Sequence, residues 1–166
     1  MKNPVFLLLG TNLGNRISNL TQALQAIDQR VGKVTKASSV YETSAWGKTD
    51  QPSFLNQAVE ITTDLDPDAV LKKILTIEEL LGRARTEKWG ERTIDIDILF
   101  YGEEIYERPH LIIPHPQLAN RRFTLIPLNE IASNFVHPLF KKTVAELLAA
   151  CPDGLSVTKF ADAPAL

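Results

Sequence analysis

One cysteine, Cys151, stands in a chain of 166 residues, so no disulfide can close within it and no cysteine-rich metal site can form. It reads as a small, half-buried thiol near a helix end. His115 has no second histidine beside it at metal-ligand spacing. A basic excess is missing too. The formal net charge of −2 speaks against a general binder of polyanions and leaves room for a local basic site. Long apolar runs are absent from the N-terminus: "VFLLL", Val5 to Leu9, ends at Gly10. That is too short for a signal-peptide core and far too short to cross a bilayer, so a buried first strand and a cytoplasmic protein are expected. There is no internal repeat, no low-complexity tract and no linker rich in Gly, Ser and Pro, which points to one domain over residues 1–166 and to a monomer. The phosphate-loop pattern GxxxxGK[ST] does not occur. "GTNLGN" is glycine-rich but lacks the lysine and reads as a tight turn.

What is present suffices for a core: 44% of residues are hydrophobic and 23% charged, the balance of a folded globular chain. Residues 4–9 read as strand one. Ile17, Leu20, Leu24, Ile27 and Val31 then recur at steps of three and four, one face of a helix that Gly32 stops. Residues 33–43, rich in Val, Thr and Ser, read as one strand. The polar loop "SAWGKTDQPS" follows, and residues 54–63 are the next strand. In "DPDAVLKKILTIEELLGR", Asp66 is placed to cap a helix, Pro67 takes its first position and Gly82 ends it. The loop "RARTEKWGE" leads to a strand over 93–101. This order predicts an α+β, ferredoxin-like βαββαβ core, an antiparallel sheet with helices packed on one face. Beyond it, helical patterns near 123–132 and 143–150 and a strand at 156–160 form a C-terminal extension expected to wrap the core.

"RTIDIDILF" carries the first chemical signal. Strand alternation puts Ile94, Ile96, Ile98 and Phe100 on one side and Thr93, Asp95 and Asp97 on the other. Asp95 and Asp97 then lie about 6.6 Å apart along one face, where like charges repel. Two readings fit: a solvated sheet face, or a pair that holds divalent cations. Oxygen-only ligands point to Mg²⁺, which takes one or two carboxylates together with phosphate oxygens and water. Upstream, "GRARTEKWGER" supplies Arg83, Arg85, Lys88 and Arg92 around Trp89; Arg121 and Arg122 lie downstream. Carboxylates beside guanidinium groups suit polyphosphate chemistry, in which metals neutralise bridging oxygens and arginines take developing charge. A solvated loop explains the same cations more simply. In "DQPSFLNQAV", Phe54 and Asn56 face the same way at a strand start. They are either core ring and turn amide, or a site where the ring stacks on a flat heterocycle and the amide reads its edge, with Phe123 as a second ring. His115, pinned between prolines in "IIPHPQL", is either structural or a phosphate contact.

Together, "DQPSFLNQAV", "ELLGRAR…WGERTIDIDILF" and "IPHPQLANRRFTLIPLNEIA", with the opening "LGTNLGNRISNLTQAL", resemble 6-hydroxymethyl-7,8-dihydropterin pyrophosphokinase of the folate pathway. The resemblance runs from strand one to about residue 135. It implies transfer of diphosphate from ATP to the pterin hydroxymethyl group with release of AMP. It further implies two Mg²⁺ ions on Asp95 and Asp97, and a pterin held by Phe54, Phe123 and Asn56, with Thr43, Ala45, Trp46 and Trp89 around it. ATP would lie against Glu78, Arg83, Arg85, Lys88, Trp89, Arg92, Ile98, Ile112, His115 and Arg121, with Ile98 and Ile112 beside the adenine. Arg83 and Arg92 would join the aspartates as catalytic groups. Lys88 stands where the family often has arginine, and Glu91 where it has proline. Two rival readings are a ferredoxin-like nucleic-acid-binding module and a Mg²⁺-dependent nucleotide hydrolase. The acidic balance opposes the first, and the aromatic–amide pair is superfluous to the second.

Overall fold

The computed structural model describes residues 3–43, 53–82 and 93–162. The first strand, β1 (Asn3–Thr11), is buried from Val5 onward because both of its faces are covered. Helix α1 (Arg16–Arg30) starts at Asn15, whose side chain accepts the Ser18 N–H; of the predicted face it buries Leu20, Leu24 and Ile27, with Val31 buried at the C-cap, while Ile17 in the first turn is exposed and Ala23 is buried instead. Strands β2 (Lys33–Ala37), β3 (Val40–Thr43) and β4 (Phe54–Thr63) follow. Helix α2 (Pro67–Leu80) is capped by Asp66, which accepts the Ala69 N–H at 2.8 Å, with Pro67 at the first position. Then come β5 (Asp95–Tyr101), the hairpin β6 (Tyr106–Arg108) and β7 (Leu111–Ile113), and a single 3-10 turn at Leu118–Asn120. Helices α3 (Arg122–Ala132) and α4 (Val144–Ala149) and strand β8 (Val157–Ala161) complete the described chain.

The main sheet runs β5-β1-β4-β3-β8, with β2 also pairing β4, and neighbouring strands are antiparallel. With β2 and β3 counted together, the order of the first hundred residues is that of the ferredoxin-like core.

Three features depart from the sequence reading. Residues 33–43 are two strands rather than one. At the break, the Ser38 N–H still donates to the Ala58 carbonyl, but Ser38 Oγ accepts the Ala58 N–H and donates to Ser39 O, so a serine hydroxyl takes one bond of the ladder. The core helices α1 and α2 lie on one face, as expected, but the C-terminal helices cover the other face as a layer of their own. Helices α1 and α2 cover the side of Leu7, Leu9, Val59 and Ile96, while α3 and α4 pack on Phe6, Leu8, Ala58 and Phe100. The C-terminal extension is thus a second layer, and its β8 lengthens the sheet. Finally, Phe100 does not share the face of Ile94, Ile96 and Ile98. A register shift leaves Leu99 as an extra residue, because Leu7 pairs Ile98 and Phe6 pairs Phe100. This bulge moves Phe100 to the face of the aspartates, where it meets Phe6 edge-on at 6.2 Å.

Gly32 follows the α1 C-cap Val31, where the helix was expected to stop, and it serves a second need. A Cβ there would lie 2.4 Å from the carbonyl oxygen of Thr62, so only glycine lets α1 turn back against β4 this closely. We expect Gly32→Ala to cost about 2 kcal/mol or more by overpacking, read as a lowered midpoint in urea with an unchanged slope. An unshifted midpoint would mean the backbone relaxes freely here.

Candidate active site

Strand register builds the site. Asn56 of β4 pairs Gly10 of β1, and Gly10 pairs Asp95 of β5 on its other side. One row along, Ala58, Leu8 and Asp97 are aligned in the same way. Two strand spacings put the Asn56 and Asp95 backbones about 10 Å apart, with only a glycine between them. Phe6, Ala58 and Phe100 on this face lie under α3 and α4, whereas Gly10, Asn56, Asp95 and Asp97 line an open pocket of about 240 Å³. Thr43, Phe54, Arg121, Phe123 and Leu155 complete its wall.

At one end the pocket is aromatic and polar. Thr43 and Asn56 are each 5% exposed, and among the described residues Thr43 Oγ1 and Asn56 Oδ1 have no hydrogen-bond partner. The Asn56 amide is oriented by donation from Nδ2 to the Leu9 carbonyl at 3.3 Å. Arg16 braces the strand ends on this side. Its Nη1 donates to the carbonyl and hydroxyl oxygens of Ser53, at 2.9 and 3.0 Å, and pairs with Glu42 at 3.4 Å. Glu42 and Ser53 adjoin Thr43 and Phe54, which face each other across β3 and β4.

Charge gathers at the other end. Asp95 and Asp97 are half-buried and belong to an edge strand. Arg121 stands near them, its guanidinium 5.6 Å from the Phe123 ring centre. Burial pushes the His115 imidazole below its usual value, the Asp97 carboxylate opposes this, and Arg121 adds to it. The ring is therefore neutral at pH 7. Its Nδ1 accepts the Gln117 N–H at 3.1 Å, which leaves the proton on Nε2. Among the described residues, no group of three or more His, Cys, Asp or Glu side chains is arranged to hold a metal.

Thus Thr43, Phe54, Asn56, Asp95, Asp97, Arg121 and Phe123, chosen from three distant segments, meet in one pocket. Ala45, Trp46, Arg83, Arg85, Lys88, Trp89 and Arg92 lie outside the described residues. Ile112 is exposed on β7, while the Ile98 side chain is 5% exposed in the core under α1 and α2. An Ile98 contact with nucleotide would come from its backbone, since its N–H points the same way as that of Ile96, away from β1. Glu78 does not line the pocket. It is 6% exposed behind β5, where Oε2 accepts the Ile96 N–H at 2.8 Å and satisfies an outward donor of the edge strand. Sequence reasoning missed Leu8, Gly10 and Leu155. A glycine inside a strand was a usable signal of close approach; an isolated leucine in "CPDGLS" gives none.

A family model described as 7,8-dihydro-6-hydroxymethylpterin-pyrophosphokinase (HPPK) matches residues 6–133. The chain belongs to this family. It is 42% identical over 142 residues to the 2-amino-4-hydroxy-6-hydroxymethyldihydropteridine pyrophosphokinase of Aquifex aeolicus, covering 86% of this chain and 88% of that one. It is 40% identical over 141 residues to the folic acid synthesis protein fol1 of Pneumocystis carinii, covering 85% of this chain and 19% of that protein. The fold matches the crystal structure of Plasmodium falciparum HPPK-DHPS with a TM-score of 0.76 at 21% identity, over 90% of this chain and 45% of that one.

If Glu78 holds β5 through Ile96, Glu78→Ala leaves a buried donor unpaired and costs about 1–3 kcal/mol. Glu78→Gln keeps an acceptor oxygen and loses less. Hydrogen exchange at the Ile96 amide should accelerate in the alanine variant; unchanged protection would assign that amide another partner.

Proposed function

We propose that this chain transfers the terminal diphosphate of ATP to the hydroxymethyl oxygen of 6-hydroxymethyl-7,8-dihydropterin, releasing AMP, as a step of tetrahydrofolate biosynthesis. The observation that carries this reading is the pair of buried, unpartnered oxygens, Asn56 Oδ1 and Thr43 Oγ1, in a pocket that also holds the Phe54 and Phe123 rings. Each such oxygen costs about 1–3 kcal/mol while it lacks a donor. A flat heterocycle edged with N–H groups satisfies both oxygens and stacks on the rings. Ala45, Trp46 and Trp89 complete the pterin contacts in this reading.

The donor set at the far end fits Mg²⁺. Two carboxylates at alternate positions of one strand, with no clustered third ligand among the described residues, leave the remaining coordination to phosphate oxygens and water. Two Mg²⁺ ions on Asp95 and Asp97 would neutralise the polyphosphate charge. The chain's own groups do the rest. The His115 Nε2–H and the Arg121 guanidinium offer donors to phosphate oxygens, and Arg83 and Arg92 stabilise the transferring group. Arg85, Lys88, Trp89, Ile112 and the Ile98 backbone hold the nucleotide, and Glu78 acts on it through the strand it braces.

The reaction needs no covalent enzyme intermediate. The pterin hydroxyl oxygen bonds to the β-phosphorus as the bond from that phosphorus to the α,β-bridging oxygen breaks, and the electron pair leaves with AMP. The hydroxyl proton passes to solvent or a phosphate oxygen, with Asp95 the candidate protein acceptor. Alignment and charge stabilisation are what the enzyme contributes. It works in this reading as a cytoplasmic monomer; among the described residues, no helix is long and apolar enough to cross a membrane.

Incubation with ATP, Mg²⁺ and the pterin should release AMP only when pterin is present. ADP release, or ATP loss without pterin, would instead identify a nucleotide hydrolase. Asp97→Ala should keep its circular dichroism spectrum and lose about 10²-fold or more in kcat. Gly10→Ala puts a Cβ 2.7 Å from Asn56 Nδ2. The displaced amide should raise KM for pterin and leave KM for ATP unchanged; equal effects on both would separate Asn56 from the pterin end.

A further inference from the structure

Helix α3 brings Phe123 to the pocket, yet it begins without a cap of its own. Its N-cap residue is Arg121, whose side chain makes no capping hydrogen bond. The first N–H groups of a helix have no partner within it and are normally met by a Ser, Thr, Asp or Asn at that position. Here the acceptor comes from 31 residues further along the chain: Asp153 Oδ2 takes the Arg122 N–H at 3.1 Å. The other oxygen of the same carboxylate, Oδ1, takes the Leu155 N–H at 2.9 Å. Arg122 immediately precedes Phe123, and both Phe123 and Leu155 line the pocket. One carboxylate therefore fixes two pocket walls from different segments. Its negative charge also suits the positive end of the helix. Residues 151–156 lead directly into β8, which pairs β3 up to Val157 opposite Thr43, so this wall is tied to the buried Thr43 oxygen as well. All of it lies beyond residue 133, where the match to the family model ends.

We propose that the C-terminal segment 151–156 is a working part of the ligand pocket. Leu155 contacts the flat ring of the bound substrate, and Asp153 is the positioning residue that holds Leu155 and Phe123 against it. This rests on the reading of the pocket as a pterin site. Leu155 supplies an aliphatic surface beside the two phenylalanines, which favours an uncharged heterocycle over a phosphorylated ligand at this end. Each oxygen of the carboxylate accepts a backbone N–H and Asp153 does not line the pocket, so it orders the wall without meeting the substrate.

The test uses the full chain with Mg²⁺ and a non-hydrolysable ATP analogue. Titration calorimetry measures 6-hydroxymethyl-7,8-dihydropterin and, separately, the analogue. Leu155→Ala should weaken pterin binding about tenfold, leave the affinity for the analogue within about twofold, and raise KM for pterin with kcat retained. Asp153→Ala should weaken pterin binding by a similar factor, and Asp153→Asn, which keeps one acceptor oxygen, should recover part of it. A purely structural role would lower the melting temperature in proportion to activity and would not split the two ligands. Wild-type affinity for pterin in both alanine variants would overturn the proposal, as would parallel loss of both ligands. Failure of the wild-type protein to bind pterin at all would remove the underlying pterin reading first, and this proposal with it.

Discussion

The pocket exists because β1 is held between β4 and β5 in one register, with Gly10 opposite both Asn56 and Asp95. A side chain at position 10 would fill the floor of the cleft and collide with the Asn56 amide. A slip of one residue would turn every side chain of β1 to the other face, burying the wrong half of "VFLLL". What fixes the register is hydrophobic: Val5, Leu7 and Leu9 are committed to the layer of α1 and α2, and Phe6 and Leu8 to the layer of α3 and α4. The site inherits its geometry from a core of which only Leu8 reaches the pocket wall.

The same strand face changes character along its length, and that change separates structure from function. Where it is apolar it is covered; where it is polar it is left open. Burying Thr43 Oγ1 and Asn56 Oδ1 without partners, and crowding two carboxylates onto one edge strand, are choices that a fold optimised only for stability avoids. Gln57 Oε1 and Asn129 Oδ1 are buried without partners as well, but only Thr43 and Asn56 line the pocket, where a ligand can complete the structure.

Much of this was legible in the sequence. The α2 boundary was written in Asp66 and Pro67, and the aspartate pair in the alternation of "IDID". What escaped was set by contacts distant in the chain. The break at Ser38–Ser39 depends on hydrogen bonds to β4, which composition does not reveal. The bulge at Leu99 depends on how Phe6 and Phe100 pack, so simple alternation misassigned Phe100. The second helical layer could not be inferred from irregular patterns beyond residue 120, because what makes α3 a helix at that spot includes a carboxylate from residue 153. What a motif position could not reveal for Glu78 is its bond to the Ile96 N–H, which sets its carboxylate behind the strand that displays the aspartates.

That position of Glu78 bears on why the carboxylate pair sits at the edge of the sheet rather than in its middle. An interior strand exhausts its backbone donors on two neighbours. β5 spends one side on β1, and its other side remains free to be assigned residue by residue. Ile96 gives its outward N–H to Glu78, and the carbonyl of Leu99 accepts the N–H of His115. Ile98 lies between these two fixed points with its N–H facing outward. The strand is thus pinned on either side of Ile98, close to Asp97, His115 and Arg121. In the proposed reading, a ligand with a flat hydrogen-bonding base joined to a chain of phosphates would set its base against this edge and its phosphates at the charged end. Edge placement would then let one strand mount the charge and offer backbone to the base, which an interior strand, with both sides paired, cannot do.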